Sequence, residues 1–132
     1  AGTPPIAQVI GLAASLNFLK SLDMKKIFIY ENNLTKYAIE KIQSMNDINL
    51  YSSLENSGSI LSFNIEGLHH NDVALLFDKK NIAIRSGHHC AQPLMKRLNI
   101  TGSARASFGI YNNKQDVDYL IESIKDIKNI LK

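Results

Sequence analysis

The spacing of apolar residues changes along this chain, and that change limits its possible folds more than any other feature. Near the start Ile6, Val9 and Ile10 recur at helical spacing, as do the apolar residues of segment 117–131. Between about 48 and 110 the apolar residues instead form short, partly alternating runs separated by polar turns, interrupted by shorter helical segments. The predicted order is helix, helix, strand, strand, helix, strand, strand, helix.

This order predicts an α+β domain, because consecutive strands joined by short turns pair antiparallel and need helices to cover them. We expect Asn71 to cap the third helix and Asn113 to cap the last one, with Asp116 three residues later. After a first helix that begins at Pro5, the patterns predict helices over 24–45, 71–79, 94–98 and 117–131, and strands over 48–51, 60–65, 81–85 and 103–110.

The first helix is apolar on more than one side, since Ala14 and Phe18 extend its apolar surface beyond a single stripe. A helix that is apolar all round is normally buried. We therefore expect this helix to lie between other elements, and the natural chain to continue upstream of Ala1.

The composition excludes several classes of protein. With 132 residues, 45% of them apolar and 20% charged, the chain has the make-up of one ordinary globular domain. The net charge of +3 comes without a run of like charges, so we predict no nucleic-acid partner. No stretch approaches the roughly 18 apolar residues of a membrane span. No secretory signal is visible, and a single cysteine suits a reducing compartment, so we expect a protein that is not secreted.

Cys90 is the one thiol of the chain and lies in a polar loop, Ser86-Gly87-His88-His89-Cys90-Ala91-Gln92-Pro93. Arg85, His88 and His89 give it an electropositive setting, which favours the thiolate over the thiol. Two interpretations stay open on these residues alone. Cys90 is either a reactive nucleophile or a small apolar side chain that fills a gap.

Arg105 stands between two alanines in a predicted strand. An arginine on an inner strand needs a partner, and small neighbours leave room for a planar anion to pair with its guanidinium. The alternative is an edge strand that points Arg105 into solvent.

The histidine pairs His69-His70 and His88-His89 suggest a metal site with Cys90. Adjacent residues rarely converge on one ion, however, and the spacings typical of zinc sites are missing. We predict no metal here, and we expect His69 and His70 to shape the turn before the third helix.

The loop Arg85-Ser-Gly-His-His-Cys-Ala-Gln-Pro-Leu-Met95 resembles the catalytic-cysteine loop of SUF-type cysteine desulfurases, which belong to the class V, pyridoxal-phosphate-dependent aminotransferase-like family. The resemblance covers essentially the whole chain. Ala1-Gly-Thr-Pro4 is similar to that family's Glu-Ala-Gly-Thr-Pro segment without its Glu. Segment 104–112 is similar to its Arg-Ala-Ser-x-x-x-Tyr-Asn strand, and segment 117–131 to its last helix.

This resemblance implies a role for each matching residue. Cys90 matches the nucleophile that takes sulfur from a cysteine substrate and keeps it as a persulfide, while alanine leaves. Arg105 matches the residue that binds the substrate carboxylate. Thr3 resembles a residue that contacts the cofactor phosphate across a dimer interface. Arg85, His88 and His89 accompany the loop as positioning and electrostatic support.

The chain also departs from the family pattern. The family holds its cofactor, pyridoxal 5′-phosphate, on a lysine in a Ser-x-His-Lys segment, and none of the lysines here lies in such a context. The resemblance therefore implies the C-terminal part of a fold-type I enzyme. Residues 1–22 would be a connecting segment from a missing large domain that binds most of the cofactor. Residues 23–132 would be the small domain that carries the cysteine loop.

As a whole protein, such an enzyme would be a homodimer that desulfurates L-cysteine and passes the sulfur to an acceptor protein of the SUF system for iron–sulfur cluster assembly. The isolated portion would be inactive. Its compartment would be the bacterial cytoplasm or a plastid-like organelle. Three alternatives stay open: selenocysteine lysis at the same site, a non-catalytic sulfur-relay or interaction module built on Cys90, and a structural remnant with an inert Cys90.

Overall fold

The computed structural model describes residues 2–55 and 57–129. Ala1 begins the segment that resembles the family, and Leu131 ends the predicted last helix. Both lie outside the described residues. The elements in chain order are α1 (Ile6–Ser21), α2 (Met24–Gln43), β1 (Ile48–Leu50), β2 (Ile60–Ile65), α3 (His70–Asp78), β3 (Arg85–Gly87), α4 (Gln92–Leu98), β4 (Ser103–Ser107) and α5 (Lys114–Asn129).

The four described strands form one antiparallel sheet in the order β1-β2-β4-β3. Within it, β4 is an inner strand: Ser62 of β2 faces Arg105 on one side, and Arg85 of β3 faces Arg105 on the other. Helices cover the sheet, so the predicted α+β fold is confirmed. The edge strand β3 leads directly into the loop that carries Cys90.

The core lies on one face of the sheet because side chains alternate between the two faces of a strand. Leu61, Phe63 and Ala104 are fully buried on that face, and Phe63 meets Phe77 of α3 edge-to-face with ring centroids 6.2 Å apart. Helices α2 and α5 pack into the same core through Ile39 and Ile124, among others. The opposite face carries Ser62 and Arg105 and is available for a site.

Several element predictions are wrong at their boundaries. The helices predicted to begin at residues 94 and 117 begin at Gln92 and Lys114. The third strand begins at Arg85, not at residue 81, because the preceding residues finish α3: the Ile82 amide donates to the Phe77 carbonyl at 3.0 Å, and Asn81 takes a left-handed φ of 58°. The last strand ends at Ser107 instead of continuing to residue 110.

Of the two predicted helix caps, the one at Asn71 is wrong and the one at Asn113 is confirmed. His69, not Asn71, caps α3, and its side chain accepts the Asn71 amide hydrogen. The Asn71 side chain is occupied instead by Ser86 and His70. Asn113 does cap α5: its side chain accepts the amide hydrogens of Gln115 and Asp116, while the Asp116 carboxylate accepts the Asn113 amide hydrogen, which completes a capping box.

The expectation that the first helix is buried is wrong for this chain, since no residue of α1 is buried. Ile6, Val9, Ile10 and Phe18 are each more than half exposed. The described residues therefore leave the apolar surface of α1 without a cover. Among the helices they form, none combines the length and the apolar character needed to cross a membrane.

Candidate active site

The Cys90 loop is a tight turn between β3 and α4. Gly87 ends β3 with a φ of 114°, and the consecutive residues His89 and Cys90 both take left-handed φ values, 55° and 57°. The Cys90 amide donates to His88 Nδ1 at 3.1 Å, and the Ala91 amide donates to the His88 carbonyl at 2.8 Å. Two adjacent non-glycine residues in this region are uncommon and cost free energy, so the surrounding structure must hold the loop in this form.

Cys90 is an exposed free thiol. Arg85 lies at the start of β3, and its Nη2 stands 3.9 Å from Cys90 Sγ, within hydrogen-bond distance for sulfur. The guanidinium is thus placed to donate a hydrogen bond to the sulfur. The alternative in which Cys90 fills a gap in the core does not fit its exposure.

Arg105 lies half-buried on β4, on the face opposite its buried neighbours Ala104 and Ala106. Because β4 is an inner strand, the alternative of an edge strand with Arg105 in solvent is excluded. Arg105 lines a cavity of about 320 Å³. The Nε atom of Arg105 is buried and has no hydrogen-bond partner among the described residues. A buried donor without a partner costs free energy, so this geometry is suited to a bound anion.

The same cavity brings together residues from four parts of the chain. Its walls come from the end of β1 and the turn that follows, from β2, from the Cys90 loop with α4, and from the first half of β4: Tyr51, Ser52, Ile60, Ser62, His89, Ala91, Leu94, Met95, Leu98, Ser103 and Arg105. Cys90 is not among the lining residues but lies between two of them, His89 and Ala91. The thiol therefore belongs to a loop that helps to line the cavity, and Arg105 belongs to a strand that lines it.

His89 is a polar wall of this cavity and is neutral. Its Nε2 lies 3.0 Å from both the carbonyl and the hydroxyl oxygens of Ser103, and since a carbonyl only accepts, Nε2 carries the proton. Burial lowers the pKa of His89, and the nearby Arg105 and Arg85 charges lower it further. The expected electropositive contribution from His89 is therefore wrong at neutral pH, and the positive charge beside Cys90 comes from Arg85.

The remaining predicted site residues lie apart from the cavity. His88 is exposed and holds the loop through its backbone and ring contacts. Thr3 lies in the exposed segment before α1. His69 and His70 stack at the start of α3 with ring centroids 4.0 Å apart. No cluster of three His, Cys, Asp or Glu side chains in the described residues is arranged to hold a metal ion.

Sequence reasoning missed the contributions of β2 and of the turn before it. Ser62 faces Arg105 across the β2–β4 pair, and Ser52 joins the strand by accepting the Ser62 amide hydrogen at 2.8 Å. The signal for Ser62 was present, because it alternates with the apolar residues Leu61 and Phe63. No local pattern singles out Ser52, whose part depends on the pairing of distant strands.

Comparison with known proteins places the chain in a family. Residues 1–120 match the family described as aminotransferase class-V. A probable cysteine desulfurase of Staphylococcus aureus (strain COL) is 46% identical over 129 residues, which are 97% of this chain and 31% of that protein. A probable cysteine desulfurase of Staphylococcus epidermidis (strain ATCC 12228) is 42% identical over the same length.

Solved structures of cysteine desulfurases are also similar to this chain. The cysteine desulfurase CsdA of Escherichia coli superposes with a TM-score of 0.93 at 35% identity, covering 98% of this chain and 32% of that one. The cysteine desulfurase of Thermococcus onnurineus NA1 gives a TM-score of 0.90 at 37% identity, covering 96% of this chain and 32% of that one. The chain thus spans about a third of the length of these relatives. Members of this family depend on pyridoxal 5′-phosphate. With a match over almost its whole length, this chain belongs to the class-V aminotransferase family.

Proposed function

We propose that this chain is the small-domain portion of a pyridoxal-phosphate-dependent cysteine desulfurase and that Cys90 is its sulfur-accepting nucleophile. The observation that carries the proposal is an exposed thiol held beside Arg85, on a loop that helps to line the same cavity as Arg105, whose Nε has no hydrogen-bond partner among the described residues. Residues 1–22 would connect this domain to a large domain upstream, and residues 23–132 would form the small domain.

The residues present fit the substrate side of such a site better than the cofactor side. The buried Nε of Arg105 has no hydrogen-bond acceptor among the described residues, and a substrate carboxylate would provide one. The lysine context that holds the cofactor in this family is missing from the sequence. Most of the cofactor contacts would therefore belong to the large domain, and Thr3 would add a contact to the phosphate across a homodimer interface.

In this reaction Arg105 binds the carboxylate of L-cysteine and so directs the substrate sulfur toward the Cys90 loop. Cys90, as the thiolate beside Arg85, attacks that sulfur. A sulfur–sulfur bond forms and the substrate carbon–sulfur bond breaks, with its electron pair staying on the substrate carbon. The bound cofactor supplies the electron sink that makes this cleavage possible. The carbon then takes up a proton and leaves as the methyl group of alanine, while Cys90 holds a persulfide.

The supporting residues have separate roles in this proposal. His88 and His89 hold the loop in its left-handed conformation, His88 through the Cys90 amide and His89 through Ser103. The exposure of Cys90 suits delivery of the sulfur to a second protein, since a persulfide at the surface can be reached by an acceptor thiolate. The acceptor would belong to the SUF system of iron–sulfur cluster assembly, in the bacterial cytoplasm or a plastid-like organelle.

The test is mass spectrometry of the Cys90 peptide from the whole natural polypeptide, after incubation with pyridoxal phosphate and L-cysteine. We expect one extra sulfur on Cys90 and an equal amount of alanine, and neither product from Cys90→Ala.

Alanine release without sulfur on Cys90 would remove this residue from the proposed role. A protein that binds the cofactor but gives neither product would contradict the desulfurase proposal and leave a sulfur-relay module. Replacing L-cysteine by L-selenocysteine in the same assay distinguishes the two substrates.

A further inference from the structure

His70 is a buried side chain that the proposed reaction leaves without a role. It is the first residue of α3 and is only 7% exposed. Its Nδ1 lies 3.0 Å from Asn71 Oδ1, which also accepts a hydrogen bond of 2.8 Å from the Ser86 hydroxyl on β3. Since a carboxamide oxygen only accepts, Nδ1 carries the ring proton. Burial and the neighbouring His69 lower the pKa of His70, so the ring is neutral near pH 7.

The other edge of the His70 ring lies against Gly102, at a point where the backbone of Gly87 also comes close to Gly102. A Cβ atom added to Gly102 would stand 2.5 Å from His70 Nε2 and 2.8 Å from the carbonyl carbon of Gly87. Such distances are far below van der Waals contact, so only glycine fits at position 102. The carbonyl of Gly102 also accepts a hydrogen bond of 2.9 Å from Asn64 Nδ2, which fixes this backbone from the β2 side.

These two glycines lie shortly before the two residues of the proposed reaction. Gly87 ends β3 and precedes Cys90 by three residues, and Gly102 stands just before β4 and precedes Arg105 by three residues. The His70 ring thus lies against the backbone that leads to Arg105, and through Asn71 and Ser86 it is linked to the strand that leads to Cys90.

We propose that His70 is a positioning residue: packed against Gly102 and linked to Ser86 of β3 through Asn71, its ring sets the place of the Cys90 loop relative to Arg105. This inference rests on the proposed desulfurase function. The two strands that adjoin these glycines differ in how firmly the sheet holds them. β4 is paired on both sides, whereas β3 is an edge strand of three residues. Loss of the ring therefore displaces Cys90 more than Arg105.

The experiment is steady-state kinetics of alanine formation by the whole natural polypeptide carrying His70→Ala. We expect kcat to fall by about tenfold or more, because small errors in the placement of a nucleophile carry large rate penalties. KM for L-cysteine should change by less than about threefold, because Arg105 keeps its place. His70→Gln, which fills the same space with a neutral side chain, should recover most of kcat.

The matched control is Val73→Ala, one turn further along α3. Val73 is fully buried in the core. Its truncation destabilises the same helix without touching either glycine. If His70→Ala and Val73→Ala lower the melting temperature alike and neither lowers kcat selectively, His70 is only structural and the proposal is overturned. A parallel change of kcat and KM in His70→Ala would overturn it as well.

A readout without turnover keeps this inference separate from the proposed function. We expect hydrogen exchange of the amides over 86–91 to accelerate in His70→Ala and not in Val73→Ala. Unchanged exchange of this loop would contradict the positioning role even in an active enzyme. A wild-type protein that forms no persulfide, with the loop still loosened by His70→Ala, would contradict the desulfurase function and leave the positioning contact in place.

Discussion

Arg85 and Arg105 stand directly opposite each other on the antiparallel strands β3 and β4. Like charges at such positions destabilise a sheet. The two guanidinium groups differ in their surroundings, however. The Arg85 guanidinium donates to Cys90 Sγ, whereas Arg105 lines the cavity and its Nε has no hydrogen-bond partner among the described residues. In the proposed reaction the two guanidinium groups would bind two neighbouring anions, the sulfur of Cys90 and the substrate carboxylate.

Arg105→Gln removes the proposed carboxylate partner. A charge-assisted hydrogen bond contributes about 1.5–3 kcal/mol, so kcat/KM for L-cysteine should fall by about 10- to 150-fold, mainly through a higher KM. Steady-state alanine formation by the whole polypeptide measures this change.

Arg97→Gln is the matched control for that substitution. Arg97 lies on α4, is exposed and does not line the cavity. Its replacement removes the same charge from the same domain and should leave kcat/KM unchanged. Equal losses in the two variants would show that net charge, and not carboxylate binding, determines the effect.

Arg85→Gln tests the electrostatic support of the thiol. Without the guanidinium 3.9 Å from Sγ, the sulfur loses a positively charged hydrogen-bond donor that stabilises negative charge on it during attack, so alkylation by iodoacetamide should slow several-fold. The free energy of unfolding should not fall, since the substitution relieves the repulsion from Arg105. Lys79→Gln, an exposed charge on the neighbouring turn, is the control. An alkylation rate equal to that of the wild type would contradict the role of Arg85.

Much of the fold was predictable because local patterns and global packing agree. The apolar face of α5 and the alternation in β2 follow directly from residue spacing, and the Asn113 cap follows from its position before that face. The capping of α3 was not predictable, because Asn71 has two tertiary partners, Ser86 and His70, that no local rule anticipates.

The candidate residues Cys90 and Arg105 stand out in the sequence, but the cavity that Arg105 lines does not. The polar loop identified Cys90, and the two flanking alanines identified Arg105. The neutral state of His89 depends on burial against Ser103, and the role of Gly102 depends on the ring of His70, so both require the tertiary structure. The exposure of α1 could not be predicted from its apolar residues, whose surface has no cover among the described residues.

Asn113→Ala should loosen the start of α5. The Asn113 side chain accepts two amide hydrogens there, at 2.7 Å and 3.2 Å. Loss of such a cap costs about 1 kcal/mol, which corresponds to about fivefold faster local opening. Hydrogen exchange of the Gln115 and Asp116 amides measures it. Gln115→Ala keeps the cap and should exchange like the wild type at Asp116. Equal protection in both variants would contradict the capping role.

His89 makes the stability of the Cys90 loop depend on pH. Its pKa in the folded protein lies below the usual 6.5, chiefly through burial, so the unfolded chain takes up the proton first as the pH falls. The free energy of unfolding should therefore be highest above pH 6.5 and decrease below it. Urea unfolding of the wild type between pH 7.5 and 5.5 should show this decrease, and His89→Gln, which cannot be protonated, should reduce its slope. Parallel curves for the two proteins would mean that protonation of His89 is not coupled to unfolding, and that the ring is not buried against Ser103 as described.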